Sequence, residues 1–205
     1  MLFDLGGVIF DSPFDAFARY ETAAGLDPGF LRSLNATDPD ANAWARFERG
    51  DLGPEEFAAA YEAEAAAAGG RIDARAVLAG LAGQPRPEMV EAVRRCAQRL
   101  PTGAITNNFV GFGDGGAGAR PEYEEVLGLF HIVIESSKVG MRKPDPRIYT
   151  LACDALGVPA AQTVFLDDLG VNLKPARAMG MTTIKVVDVA AALTELEAAV
   201  GFALG

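Results

Sequence analysis

Short β-branched runs alternate with helical patterns through the second half of this chain, and that alternation restricts the fold more than any other feature. The runs are 104–106, 132–135, 164–167 and 183–187, and helical patterns span 87–100, 121–129, 144–156, 171–179 and 189–200. Strands this apolar need cover on both faces, which crossover helices between parallel strands supply. Several helical stretches open with Pro or Asp and close at Gly, as at Gly157 and Gly180, which is the punctuation helix ends require. A further strand runs through Met1-Leu2-Phe3 into Asp4. The expectation is an α/β fold: a Rossmann-like parallel five-stranded sheet with helices on both faces.

Residues 11–83 read differently. They hold no convincing strand, and the alanine run within 54–68 favours helix while offering little large apolar surface. The chain is therefore expected to divide into a core domain of residues 1–10 and 84–205 and a helical insertion of residues 11–83, packed as a small bundle beside the sheet. Asp11-Ser12 reads as the hinge and N-cap of its first helix. The glycine-rich stretch 111–118 reads as a flexible loop and matches no phosphate-cradling fingerprint.

Composition excludes several functions. A net charge of −10 argues against a nucleic-acid partner, because phosphate backbones demand clustered Lys and Arg. The apolar runs are too short to span a membrane, and Met1-Leu2-Phe3-Asp4 is not a secretory start. A soluble, cytoplasmic protein is expected. The two cysteines, Cys96 and Cys153, form no CxxC pair and read as buried thiols. One histidine, His131, leaves Ser-His-Asp chemistry and His-based zinc sites without support.

In an open parallel sheet, ligands bind outside the carboxyl ends of the strands. The first strand ends at Asp4, followed by Gly6-Gly7; the second at Thr106-Asn107-Asn108; a later one at Asp167-Asp168. Lys143-Pro144 is read as opening the helix that precedes the Asp pair. Three carboxylates, a hydroxyl and a lysine then converge on one edge. Such a cluster repels itself unless a cation or proton neutralises it, and hard oxygen ligands without sulfur or imidazole suggest Mg²⁺.

The order and wording of these residues resemble the haloacid dehalogenase (HAD) superfamily. Phe3-Asp4-Leu5-Gly6-Gly7-Val8 is similar to its first motif, Ile105-Thr106-Asn107-Asn108 to its second, Lys143-Pro144-Asp145-Pro146 to its third, and Phe165-Leu166-Asp167-Asp168 with Asn172 to its fourth. The stretch 135–193 also resembles the phosphatase domain of mammalian soluble epoxide hydrolase and the HAD domains fused to some acyl-CoA dehydrogenases. Four motifs in order are specific where each alone is weak. The resemblance implies that 11–83 is a C1-type cap and that the chain is a phosphatase acting on a small phosphorylated metabolite. It implies Asp4 as nucleophile through an aspartyl-phosphate, and Thr106 with the backbone N–H of Asn107 as phosphate ligands. Lys143 would offset charge on the nucleophile and phosphate. Mg²⁺ would be held by Asp4, the Gly6 carbonyl and Asp168, with Asp167 or Asn172 as further ligands through water.

One position departs from the pattern. The family's phosphatases usually carry a second Asp two residues after the nucleophile, as the acid/base for the leaving group and the attacking water; here it is Gly6. A positioned acid/base contributes roughly 10²–10⁴-fold. Slow turnover, a good leaving group or a base recruited from the cap are the expected consequences, with Glu48 and Asp51 as stand-ins. The alternative is a catalytically degenerate HAD domain used for binding or assembly. Carbon–halogen hydrolysis needs no metal and would leave Asp167-Asp168 unexplained.

Overall fold

The computed structural model describes residues 1–109 and 121–204; the glycine-rich stretch 111–118 lies outside them. Strand β1 (Leu2–Phe3) is followed by helices α1 (Pro13–Ala24), α2 (Phe30–Ala36), α3 (Ala43–Glu48), α4 (Pro54–Ala67) and α5 (Ala74–Gly80). Next come α6 (Pro87–Ala97), β2 (Gly103–Thr106), α7 (Pro121–Leu127), β3 (Ile132–Glu135) and the short α8 (Ser136–Val139). The chain closes with α9 (Pro146–Leu156), β4 (Val164–Asp167), α10 (Gly170–Ala178), β5 (Thr182–Lys185) and α11 (Val189–Val200).

The five strands are all parallel and lie in the order β3-β2-β1-β4-β5. β1 is short but central: Leu2 pairs with Gly103 and Phe165, Phe3 with Ala104 and Leu166. Period-two alternation sends successive residues to opposite faces. Phe3, Ala104, Leu166 and Ile184 face one apolar core with Met89, Val93 and Leu196; Leu2, Ile105 and Phe165 face another with Ile148, Tyr149 and Leu173. Helices therefore cover both faces of the sheet, as the strand composition demands.

Several boundaries differ from expectation. The helix before the Asp pair starts at Pro146, with Asp145 as its N-cap accepting from Arg147 N–H, so Lys143-Pro144 precedes it in a turn. β5 stops at Lys185, not at 187, because its partner β4 ends at Asp167; Val187 is left 81% exposed. The N-cap of α10 is Leu169, whose N–H donates to Asp167 Oδ1. α8 directly continues β3 and closes on Gly140 at φ 67, in the left-handed region where glycine meets no Cβ penalty.

The helical insertion has its own apolar core. Its Ala-rich helix contributes more large surface than its alanines suggest: Phe57 and Tyr61, one turn apart on α4, are fully buried and stack at 5.0 Å. Phe47 on α3 stacks on Phe57 at 4.2 Å, and Trp44 packs edge-on against both Phe17 and Phe57. Alanine elsewhere on α4 lets neighbouring helices approach, while each buried aromatic contributes about 1.5–3 kcal/mol. Ser12 caps α1 by accepting from Phe14 N–H. Asp11 ties the two connections together: its N–H donates to the Gln84 carbonyl and its carboxylate accepts from Gln84 N–H, both at 3.0 Å. Among the described residues, no helix is long and apolar enough to cross a membrane.

Candidate active site

In the order β3-β2-β1-β4-β5 the connections run outward in opposite directions from β1 and β4, so a crevice opens beyond their carboxyl ends. β1 delivers Asp4 there, and β4 ends on Asp167 with Asp168 next. After Asp4 the chain makes one tight turn, in which the N–H groups of Val8, Ile9 and Phe10 all point to the Leu5 carbonyl. Leu5 N–H donates to Asp4 Oδ1 at 2.7 Å, which orients the carboxylate. The turn needs Gly7, at φ 75, because a Cβ there would fall inside the Asp168 carboxylate. Gly6 has no such constraint: a Cβ would meet only the Pro13 ring, at 3.5 and 3.8 Å.

Lys143 is 1% exposed and bridges the two strand ends, with Nζ 2.7 Å from Asp4 Oδ1 and 2.8 Å from Asp167 Oδ2. Asn172 donates from Nδ2 to both Asp167 oxygens, at 3.0 and 3.1 Å, and Leu169 N–H donates to Asp167 Oδ1. Oxygens of Asp4, Asp167 and Asp168 lie within 4.8 Å of one another. Thr106 and Asn107, at the end of β2, line a neighbouring cleft of about 110 Å³ together with Gly6. The structure thus brings Asp4, Lys143, Asp167, Asp168 and Asn172 into contact range, with Thr106, Asn107 and Gly6 on the adjoining wall.

The electrostatics follow from that packing. Burial raises the Asp4 carboxyl well above its ordinary range; Lys143 opposes the rise, and Asp167 and Asp168 reinforce it. Asp168 is pushed up to about 6, first by burial and then by Asp167. Burial works against the Lys143 ammonium, but Asp167 and Asp4 outweigh it and hold its pKa above the usual value. Three carboxyl groups, two buried and one half-buried, thus crowd around one ammonium. All the donors are hard oxygens, a set that fits a divalent cation such as Mg²⁺.

The insertion supplies the far wall of the cleft with Pro13, Trp44, Glu48 and Leu81. Of the two stand-ins considered for the missing acid/base, Asp51 is paired with Arg49 at 2.8 Å and does not line the cleft, whereas Glu48 does. Glu48 and Arg142 form an ion pair at 2.6 Å across 94 residues of sequence. No short motif announces such a pair. Lys138, five residues before Lys143, pairs with Glu135 on the surface.

A parallel α/β sheet with a helical insertion after its first strand, and a buried carboxylate–lysine centre at its switch point, defines a class of hydrolase. The chain belongs to the haloacid dehalogenase-like hydrolase family, whose model matches residues 1–180. It is 33% identical to mouse bifunctional epoxide hydrolase 2 over 97% of this chain and 38% of that protein. Mouse acyl-CoA dehydrogenase family member 10 is 32% identical over 100% of this chain and 19% of its own length. The chain therefore spans well under half of either relative. Sesquiterpene phosphatase astK of Aspergillus oryzae is 28% identical, with 98% of this chain and 95% of that one covered. Among solved structures, a HAD family enzyme of Bacteroides thetaiotaomicron in complex with magnesium and inorganic phosphate superposes with a TM-score of 0.61. The match is 18% identical and covers 90% of this chain and 91% of that one.

Proposed function

We propose that this chain is a Mg²⁺-dependent phosphomonoester hydrolase that works through an aspartyl-phosphate on a small phosphorylated metabolite. The observation that carries the reading is the gathering of buried Asp4 and Asp167 and half-buried Asp168 around Lys143, beside a cleft lined by Thr106 and Asn107. Residues 11–83 act as the cap and residues 1–10 with 84–205 as the catalytic core. Much of the cleft wall is apolar, with Trp44, Leu81 and Phe109, which favours a substrate whose alcohol portion is apolar. The relative named a sesquiterpene phosphatase fits that preference.

Asp4, Asp168 and the Gly6 carbonyl would hold Mg²⁺, with Asp167 reaching it through water. When bound, the ion neutralises the phosphoryl oxygens and so lets an anionic nucleophile approach an anionic ester. An Asp4 oxygen attacks phosphorus, the bond to the alcohol oxygen breaks, and the alcohol departs with the bonding pair. Water then attacks the same phosphorus, the bond to Asp4 breaks, and inorganic phosphate leaves with Asp4 restored. Thr106 Oγ1 and the Asn107 N–H bind the transferring group, while Lys143 holds Asp4 in place and offsets charge that shifts during transfer. Asn172 keeps Asp167 turned towards Lys143.

With glycine at position 6, the departing alcohol takes its proton from solvent, which favours esters with acidic alcohols. Hydrolysis of an aryl phosphate is expected with Mg²⁺ and lost on EDTA; activity indifferent to EDTA would contradict the reading. Gly6→Asp is expected to raise kcat at least about 10-fold, a part of the roughly 10²–10⁴-fold a positioned acid/base supplies. A Cβ at that position meets the Pro13 ring at ordinary contact distance. An unchanged kcat would mean that another group already moves that proton. The second reading, a degenerate domain kept for binding or assembly, is favoured by Gly6 alone. Stabilisation by Mg²⁺ with beryllium fluoride in a protein that turns over no phosphate ester would support it.

A further inference from the structure

The insertion is docked on the segments that follow β2 and β3, the second of which carries Lys143. Gly50, just after α3, lies so close to the core that a Cβ would sit 2.6 Å from the Ser137 carbonyl oxygen. Phe47 stacks on Phe109 at 4.8 Å. Glu48, the last residue of α3, reaches furthest. Its Oε1 accepts from the Trp44 indole N–H at 2.9 Å; its Oε2 accepts from Arg142 Nε at 2.6 Å and from Asn107 Nδ2 at 3.4 Å. Asn107 in turn brackets the Lys143 backbone. Its Oδ1 accepts from Lys143 N–H at 2.8 Å, and its Nδ2 donates to the Lys143 carbonyl at 3.0 Å. Arg142, adjacent in the chain, also donates to the Pro39 carbonyl of the insertion at 2.9 Å.

One buried carboxylate of the insertion is therefore bonded to both groups that hold the Lys143 backbone. An acidic side chain lining a phosphate cleft repels the substrate unless a cation neutralises it, and Arg142 does so here. The Glu48 oxygens are occupied by Trp44, Arg142 and Asn107, so the residue is arranged to hold other groups in place. A lysine that must meet Asp4 at hydrogen-bond distance is sensitive to small backbone shifts, since displacements near 1 Å cost catalysts about 10²-fold.

We propose that Glu48 is a positioning residue: a latch by which the docked cap sets Lys143 through Asn107 and Arg142. This rests on the phosphatase reading for its kinetic consequences, but not for its structural one. The test uses the full chain with Mg²⁺, comparing wild type, Glu48→Gln, Arg142→Met and the double variant on a small aryl phosphate and on a bulky apolar one. Glu48→Gln keeps the side chain's volume and an acceptor for Trp44; if it fails to fold, Arg142→Met, at a partly exposed side chain, tests the same link.

The expected result is a kcat lowered roughly 10-fold or more on both substrates, with KM for the small one nearly unchanged. The double variant should be about as slow as the slower single one, since the two residues act as a unit. Backbone amide exchange at Lys143, read with or without activity, should quicken about 10-fold in Glu48→Gln, since loosening Asn107 exposes that N–H. Unchanged kcat and exchange, or a loss confined to KM for the bulky ester, would overturn the latch. A wild type that hydrolyses neither ester overturns the phosphatase reading instead, and the Lys143 exchange rate then decides the latch alone.

Discussion

Asp4→Asn is expected to lower turnover by roughly 10⁴-fold or more, because nucleophile knockouts remove a covalent route that no neighbouring group replaces. The substitution is nearly isosteric, and the Leu5 N–H that now bonds Asp4 Oδ1 still finds an amide oxygen. The fold should therefore persist. Burial and the two neighbouring carboxylates already work against a charge at Asp4, so the neutral amide relieves repulsion in the metal-free protein. Melting in EDTA should be no lower than for wild type. Loss of activity with an intact fold separates chemistry from stability. Activity within about 10-fold of wild type would remove Asp4 from the nucleophile's place, whatever its position in the structure.

Lys143→Met should have the largest effect on stability. Nζ lies 2.7 and 2.8 Å from two buried carboxylates, and removing one partner of a buried ion pair typically costs about 3–5 kcal/mol because charge is left uncompensated. Methionine keeps most of the side-chain length, so little of this cost comes from packing. For a domain of this size the loss corresponds to a melting temperature lower by about 10 °C. Thermal unfolding in EDTA reads it directly. Adding Asp4→Asn to Lys143→Met should recover part of the loss, since one buried charge then disappears with its partner. A Lys143→Met protein that melts within about 2 °C of wild type would mean the carboxylates are neutral without the lysine.

The centre was legible in the sequence because it is carried by strand ends. Strand alternation places Asp4, Thr106 and Asp167-Asp168 on one edge of a parallel sheet whatever the helices do between them. Lys143 was legible as a residue but not as a position: it lies in the turn before Asp145 caps α9, and only packing shows that it is buried between Asp4 and Asp167. α8 escaped notice because four residues, Ser136–Val139, carry no periodicity. The aromatic core of the insertion was hidden by the alanines around Phe57 and Tyr61. Glu48, Asn107 and Arg142 meet across the insertion boundary, at separations where local pattern holds no information. The role of Asn107 illustrates the limit: its backbone N–H was read from the motif, while the side chain that brackets Lys143 was not.

The central claim is that Asp4 and Asp168 share one divalent cation while Lys143 holds Asp4. A crystal structure with Mn²⁺ and beryllium fluoride, phased to show anomalous scattering, tests this most directly. The expected result is a single strong peak about 2.0–2.3 Å from oxygens of Asp4 and Asp168 and from the Gly6 carbonyl, distances characteristic of hard oxygen ligands on small divalent ions. Beryllium should be bonded to an Asp4 oxygen, with its fluorides facing Thr106. No peak at that position, in crystals of protein that still hydrolyses an aryl phosphate, would contradict the account.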